Sequence, residues 1–371
     1  MTDTIERFEI RVDASVLEDL RSRLARTRFP DQIEATGWEY GVPIDYLRKL
    51  VEYWRDEYDW RAQEARLNEL AHYRTQIDGQ AIHFVHARSP HAEAFPLLLI
   101  HGWPGSIVEF LDVIPALTDD FHVVAPSLPG YGFSEPTRTP GWDVPRVARA
   151  FVELMRRLGY TRYGAQGGDW GAQVVTRIGA MDASHCAAIH LNMPVASRPD
   201  DPVSLTDEEK ADLAAMAYFQ REEAGYAVEQ GTKPQTLGVG LNDSPAGLLA
   251  WIVEKFRTWS DCDGDVETRF SKDELLTNVM IYWITGAIGS SFWPYYARLH
   301  NPWPIPTGAR IEVPTAYAAF PREIVRPPRS IAETTYAIHR WTEMPAGGHF
   351  AALEEPEKLA EDIRAFFRPL R

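Results

Sequence analysis

Asp169 stands in Gly167-Gly168-Asp169-Trp170-Gly171, between an apolar run and a helical one. Flanking glycines let a sharp turn between strand and helix carry an exposed side chain with backbone packed close around it, and a nucleophile is commonly presented that way. Here the presented group is a carboxylate, which can displace at a saturated, strained carbon and become an alkyl ester. The same five residues also read as a glycine-rich turn with Asp at a helix N-cap, and the turn alone does not choose between these. Three other segments bear on the choice. His101-Gly102-Trp103-Pro104-Gly105-Ser106 follows an earlier apolar run; its Trp103 amide, with the Trp170 amide, can form an oxyanion hole, although the segment also reads as a plain turn with a core Trp. Gly347-Gly348-His349-Phe350 sets His349 just past the last expected strand, where it can act as a base toward water. Glu323 follows the strand ending near Phe320, where an acid that orients the base is expected; Glu333 and Glu343 compete for that role. Asp, then acid, then His is the chain order this chemistry takes on a parallel sheet.

These residues need a scaffold that brings them to one edge. Residues 74–87 alternate in polarity about Asp78-Gly79, which predicts a hairpin. Residues 96–106 and 121–136 are short apolar runs ending in Gly and Pro, as buried parallel strands entering loops should look. Residues 143–158 predict an amphipathic helix, 163–179 a strand, sharp turn and helix, and 186–194 another strand. Two more strands are expected at 309–320 and 339–345, with a closing helix at 355–368. Strands alternating with helices imply a mostly parallel α/β sheet with helices on both faces. Upstream, residues 13–28 and 44–70 predict helical regions, the first with Asp13 as its candidate cap. Residues 196–305 interrupt the alternation with aromatic-rich helical sequence and read as a cap over the carboxyl ends of the strands. The organisation is therefore 1–73 as an N-terminal extension on core and cap, 74–195 as the first part of the core, 196–305 as the cap and 306–371 as the second part of the core.

Composition narrows the partners. The 371 residues carry 38 basic and 53 acidic side chains, a net charge of −15, which argues against nucleic acid and anionic membrane. Two cysteines, Cys186 and Cys262, make no disulfide framework and no zinc spacing. The charged N-terminal residues and the lack of any 18-residue apolar run favour a soluble, reducing, cytoplasmic setting. Neither GxGxxG nor GxxxxGK[ST] occurs, so no nucleotide cofactor and no metal is expected.

The ordered motifs resemble one family. YWRDEYDWRAQEARLNEL (53–70), IDGQAIHFVHA (77–87), HGWPGS, GGDWG, TKPQTLGVGLNDSPAGLLAWIVEKFRTW (232–259), YWITGAIGSSFWPYY (282–296), FPREI (320–324) and GGHFAALEEPE (347–357) span nearly the whole chain. Together they resemble the microsomal and juvenile-hormone type epoxide hydrolases of the α/β-hydrolase superfamily. The resemblance implies an α/β-hydrolase fold, a small-molecule epoxide and water as substrates, no cofactor, Asp169 as nucleophile, His349 as base and Glu323 as its acid partner. It also implies two cap tyrosines that grip the ring oxygen: Tyr226, and Tyr295 with Tyr296 as the alternative. Two departures stand out. The chain shows no apolar anchor of the mammalian microsomal kind, and Trp293 stands where family members often carry a basic residue. Cap aromatics Phe219, Trp251, Trp259, Phe292 and Trp293 suggest an apolar epoxide. Arginine outnumbers lysine 32 to 6, which fits a bacterial member. Detoxification and natural-product biosynthesis are both open, and a homodimer is compatible with the sequence. The rival readings are a haloalkane or haloacid dehalogenase, which shares the Asp nucleophile, and a non-catalytic ligand-binding relative of the fold.

Overall fold

The computed structural model describes residues 4–196, 205–305 and 309–370. Nine strands form one sheet in the order β1-β2-β3-β5-β4-β6-β7-β8-β9. They are β1 Ile5–Phe8, β2 His72–Ile77, β3 Gln80–Ala87, β4 Phe95–Ile100, β5 Phe121–Pro126, β6 Tyr163–Gly167, β7 Cys186–Leu191, β8 Ile311–Ala319 and β9 Tyr336–Glu343. The β1-β2-β3-β5 end is antiparallel, and every pairing from β5 through β4 to β9 is parallel. The hairpin turns where expected, with Asp78 and Gly79 at φ 52° and 74°. Positive φ at both positions matches the twist of the flanking strands.

The central strands are apolar because both their faces are covered. Leu97, Leu98, Leu99 and Ile100 of β4 are fully buried, and each such side chain contributes roughly 1.5–3 kcal/mol of transfer free energy. Helices Val144–Arg157 and Asp169–Met181 pack on each other in one layer, and Val113–Leu117 packs on Pro356–Phe367 in another. Asp143 caps the first of these by accepting from the Arg146 amide at 2.9 Å.

The N-terminal segment differs from expectation in two ways. Residues 44–70 form two helices, Ile44–Asp56 and Trp60–Leu67, because the Asp59 side chain caps a new start by accepting from the amides of Arg61 and Ala62. Strand β1 was not expected: its sequence IERF is short and charged, as a half-exposed edge strand can be. The segment touches both other parts of the fold. β1 extends the sheet, while the Tyr53 hydroxyl donates to Asp273 at 2.9 Å and Tyr58 hydrogen-bonds Thr277 at 3.0 Å in the helices that follow β7.

Between β7 and β8 the described chain is entirely helical and irregular, with long helices at Asp207–Glu222, Pro245–Trp259 and Lys272–Thr285. Of the insertion expected at 196–305, residues 197–204 lie outside the described residues, as do 306–308 just beyond its expected end. Among the described residues no single helix is long and apolar enough to cross a membrane.

Candidate active site

Asp169 sits at the turn from β6 into its helix with φ 48°, a left-handed conformation that costs a non-glycine residue energy. The turn closes because its neighbours lack side chains. A Cβ on Gly171 would lie 1.9 Å from the Ile100 carbonyl oxygen, and one on Gly167 would lie 2.6 Å from the Gly171 carbonyl oxygen. On the facing loop, a Cβ on Gly102 would lie 2.2 Å from Asp169 Oδ1. This crowding brings the Trp103 amide to Asp169 Oδ1 at 2.7 Å. Burial pushes the Asp169 carboxyl up, while His349 and the amides of Trp103 and Trp170 pull it back. The Trp103 amide on Oδ1, with the Trp170 amide acting on the same carboxyl, forms a site that can hold negative charge there.

His349 lies beyond β9. Its Nε2 is 3.8 Å from Asp169 Oδ2, and its Nδ1 is 2.8 Å from Glu323 Oε1. Glu323 also accepts from the Ile324 amide at 2.7 Å, and its other oxygen is buried with no hydrogen-bond partner among the described residues. Burial works to lower the His349 pKa; the charge and hydrogen bond of Glu323, then Asp169 and Glu109, outweigh it and raise the group to about 9. A parallel contact links the two loops: the Arg322 amide donates to the Gly347 carbonyl at 3.1 Å. The other two glutamates are elsewhere. Glu333 pairs with Arg329 at 2.7 Å on the surface, and Glu343 bonds Trp341 and Arg326.

Two short helices of the insertion, Gly225–Thr232 and Trp293–His300, pack together and carry Tyr226 and Tyr295 over this centre. Tyr226 stacks on the Trp103 indole with ring centroids 5.1 Å apart, and Tyr295 meets Trp170 edge-on at 4.8 Å. Their rings are 5.9 Å apart. Burial, with the Asp169 charge contributing, raises both hydroxyls above the ordinary phenol range, so both stay protonated donors. The Tyr295 hydroxyl lies beside the Tyr226 hydroxyl and the Trp170 indole, but among the described residues neither it nor the indole N–H groups of Trp103 and Trp170 make a hydrogen bond of good geometry, which leaves donors that a bound oxygen can satisfy. Tyr296, in contrast, is 44% exposed and stacks on His300.

The expected pocket aromatics divide. Phe219 is buried against Trp259 and Phe292 against Trp103, so both frame the rings around the centre. Trp251 donates its indole N–H to Gln230 at 3.0 Å and faces Lys255 rather than Asp169. Trp293 lines a separate small cavity with Trp142, Trp170 and Pro294.

Other neighbours were not expected from the sequence. The Trp259 carbonyl accepts the His349 amide at 2.9 Å, tying the insertion to the His loop, and Gly348 permits that approach. Lys255 is buried beside Glu254 with its ammonium 5.0 Å from the centre of the Tyr226 ring. Glu109 lines a cavity with Asp169, His349, Gln166 and Asn192. Its only sequence signal is its place four residues past Gly105 in HGWPG. Among the described residues no cluster of side chains suits a metal ion.

Comparison with known proteins agrees with this geometry. Residues 5–110 match the family model of the epoxide hydrolase N terminus, and residues 96–236 match that of the alpha/beta hydrolase fold. The chain is 39% identical to epoxide hydrolase 1 of Oryctolagus cuniculus over 403 residues, covering 98% of this chain and 89% of that protein. The crystal structure of juvenile hormone epoxide hydrolase from the silkworm Bombyx mori superimposes with a TM-score of 0.93 at 34% identity, over 99% of this chain and 95% of that one. The epoxide hydrolase of Aspergillus niger superimposes with a TM-score of 0.90 at 33% identity, over 99% and 97%. With its glycine-flanked Asp169, its His349–Glu323 pair and its relatives matched nearly end to end, the chain belongs to the epoxide hydrolase family of the α/β-hydrolase fold.

Proposed function

We propose that the protein hydrolyses an apolar epoxide to a vicinal diol through an ester on Asp169. The observation that carries the reading is one carboxylate with its two oxygens in different surroundings. Oδ1 is held by the Trp103 amide, and Oδ2 lies toward the His349 imidazole. Oδ2 attacks a ring carbon from behind, and the ring C–O bond breaks. The alkoxide so formed takes a proton from Tyr226 or Tyr295, whose hydroxyls burial and the Asp169 charge keep protonated until then.

His349 then changes role. With its pKa near 9 it begins as imidazolium at neutral pH, and its proton returns to the tyrosinate left by ring opening. Ester formation removes the Asp169 charge, one of the anions that hold the proton on the imidazole. The free imidazole takes a proton from water as the water oxygen bonds to the Asp169 carbonyl carbon. Negative charge gathers on Oδ1 against the Trp103 and Trp170 amides, each such donor typically worth ~2.7–4 kcal/mol. Collapse breaks the bond from Cγ to Oδ2, the diol leaves with that oxygen, and the site returns to Asp169 carboxylate with imidazolium.

The helical insertion acts as a cap that excludes bulk water and brings the tyrosines. The arginine-rich composition supports a bacterial source, and two free, buried cysteines support a cytoplasmic one. A halide-releasing reaction is disfavoured, since the relatives matched nearly end to end are epoxide hydrolases. A single turnover in heavy-oxygen water tests the scheme. Label is expected in Asp169 first, with unlabelled diol; label passing straight into the diol would replace the ester with direct attack by water.

A further inference from the structure

The centre has two sides. Tyr226 and Tyr295 lie on the side where a ring oxygen would sit, and neither lines the cavity behind Asp169. That cavity is walled by Gly102 and Trp103, by Gln166 and Asn192, and by Glu109 and His349. Its wall mixes these polar groups with apolar ones such as Phe110 and Leu359, and it has room for an ordered water within reach of several polar partners.

Glu109 belongs to the short turn Ile107–Phe110, which Ser106 caps by accepting the Val108 amide at 3.2 Å. Its carboxyl folds back over the preceding loop. A Cβ on Gly105 would lie 1.5 Å from Glu109 Oε1, so the glycine is what leaves room for it. Among the described residues no Lys or Arg acts on this carboxyl, and the titratable groups facing it are His349, Asp169 and Tyr282. Burial pushes it up to about 8, the Asp169 charge adds to that, and His349 and the Ser106 backbone work the other way. A carboxyl kept partly buried without an ion pair costs stability, which is a reason to look for its use in the reaction.

We propose that Glu109 holds the water that hydrolyses the Asp169 ester. One O–H of the water donates to a Glu109 carboxyl oxygen, the other faces His349 Nε2, and the water oxygen is turned toward the Asp169 carbonyl carbon. Glu109 accepts this bond whether or not it is protonated, because a carboxylic acid keeps its carbonyl oxygen. The proton that leaves the water goes to His349, and Glu109 neither gains nor loses one. This role rests on the ester reading above.

The test is rapid-quench mass spectrometry of the tryptic peptide 163–177, which contains Asp169, during turnover by the full-length enzyme. Glu109→Leu keeps the bulk and removes the acceptor. It is expected to form the ester within about 3-fold of the parental rate and to lose it about 10–100-fold more slowly, since misplacing a reactant costs that order. kcat and KM should fall together, leaving kcat/KM close to the parental value, a split that a loosened fold would not give. Glu109→Gln offers an amide oxygen as acceptor and should restore most of the hydrolysis rate. Parental ester decay in Glu109→Leu, or equal losses in formation and decay, or no recovery in Glu109→Gln, would each overturn the assignment while leaving the ester in place. If the parent itself forms no ester on this peptide, the Asp169 scheme fails and the role of Glu109 fails with it.

Discussion

Glu323→Gln removes a charge while keeping the outline of the side chain. In the parent, Glu323 accepts from His349 at 2.8 Å and from the Ile324 amide at 2.7 Å, with both side chains buried. Losing a charge-assisted bond in a buried pair costs about 3–4 kcal/mol. At about 1.4 kcal/mol per tenfold, that is a factor of roughly 10²–10³. The cost falls on the step that creates imidazolium, which is hydrolysis of the ester. Ester formation begins with imidazolium already present and should slow by less than about 10-fold. The intact protein should therefore gain one substrate mass during turnover, on peptide 163–177. The pH profile supplies a second readout. His349 is raised to about 9, so imidazolium is lost as pH rises through that value, and kcat/KM of the parent should fall there. Without the Glu323 anion the falling limb should move down toward the ordinary histidine range. Glu333→Gln and Glu343→Gln, which alter surface pairs, should change neither step. If Glu323→Gln slows formation and decay equally, shows no adduct and leaves the limb near 9, Glu323 is not the anion that supports His349.

Two further outcomes follow from the same geometry. Tyr226→Phe and Tyr295→Phe should each slow ester formation by about 10–100-fold, the usual range for a lost proton donor, and the double variant should nearly stop it, whereas Tyr296→Phe, on the exposed face, should react at the parental rate in a stopped-flow assay. Gly171→Ala drives a methyl to within 1.9 Å of the Ile100 carbonyl and should destabilise the fold by about 3 kcal/mol or more; an unchanged melting temperature would mean that the Asp169 turn relaxes easily.

Much of the scaffold was legible because its causes are local. The Asp78-Gly79 turn, the apolar run of β4 and the glycines of GGDWG each depend on backbone conformations or burial patterns that a few neighbouring residues impose. The chain order of Asp169, Glu323 and His349 was readable for the same reason, since each follows a strand that its own residues specify. Strand β1 was not readable: four residues with two charges have no pattern of their own and become a strand only because β2 offers an open edge.

The choice among similar side chains belonged to the tertiary structure. Three glutamates lie between the end of β8 and the end of β9, and only the parallel contact between the Arg322 and Gly347 loops brings one of them, Glu323, to His349. Tyr295 and Tyr296 are adjacent in sequence, but successive helical residues point about 100° apart, so the packing of Trp293–His300 on Gly225–Thr232 buries the first and exposes the second. Trp251 and Trp293 read as pocket aromatics until that packing turned them toward Lys255 and a second cavity. Glu109 read as one acidic residue among 53, and its meaning came from the absence of a side chain at Gly105 and from groups 60 and 240 residues away. Sequence specifies which groups are present and which turns can carry them; which groups meet in a water-poor space is decided by long-range packing, because burial and electrostatic coupling depend on distance in space and not along the chain.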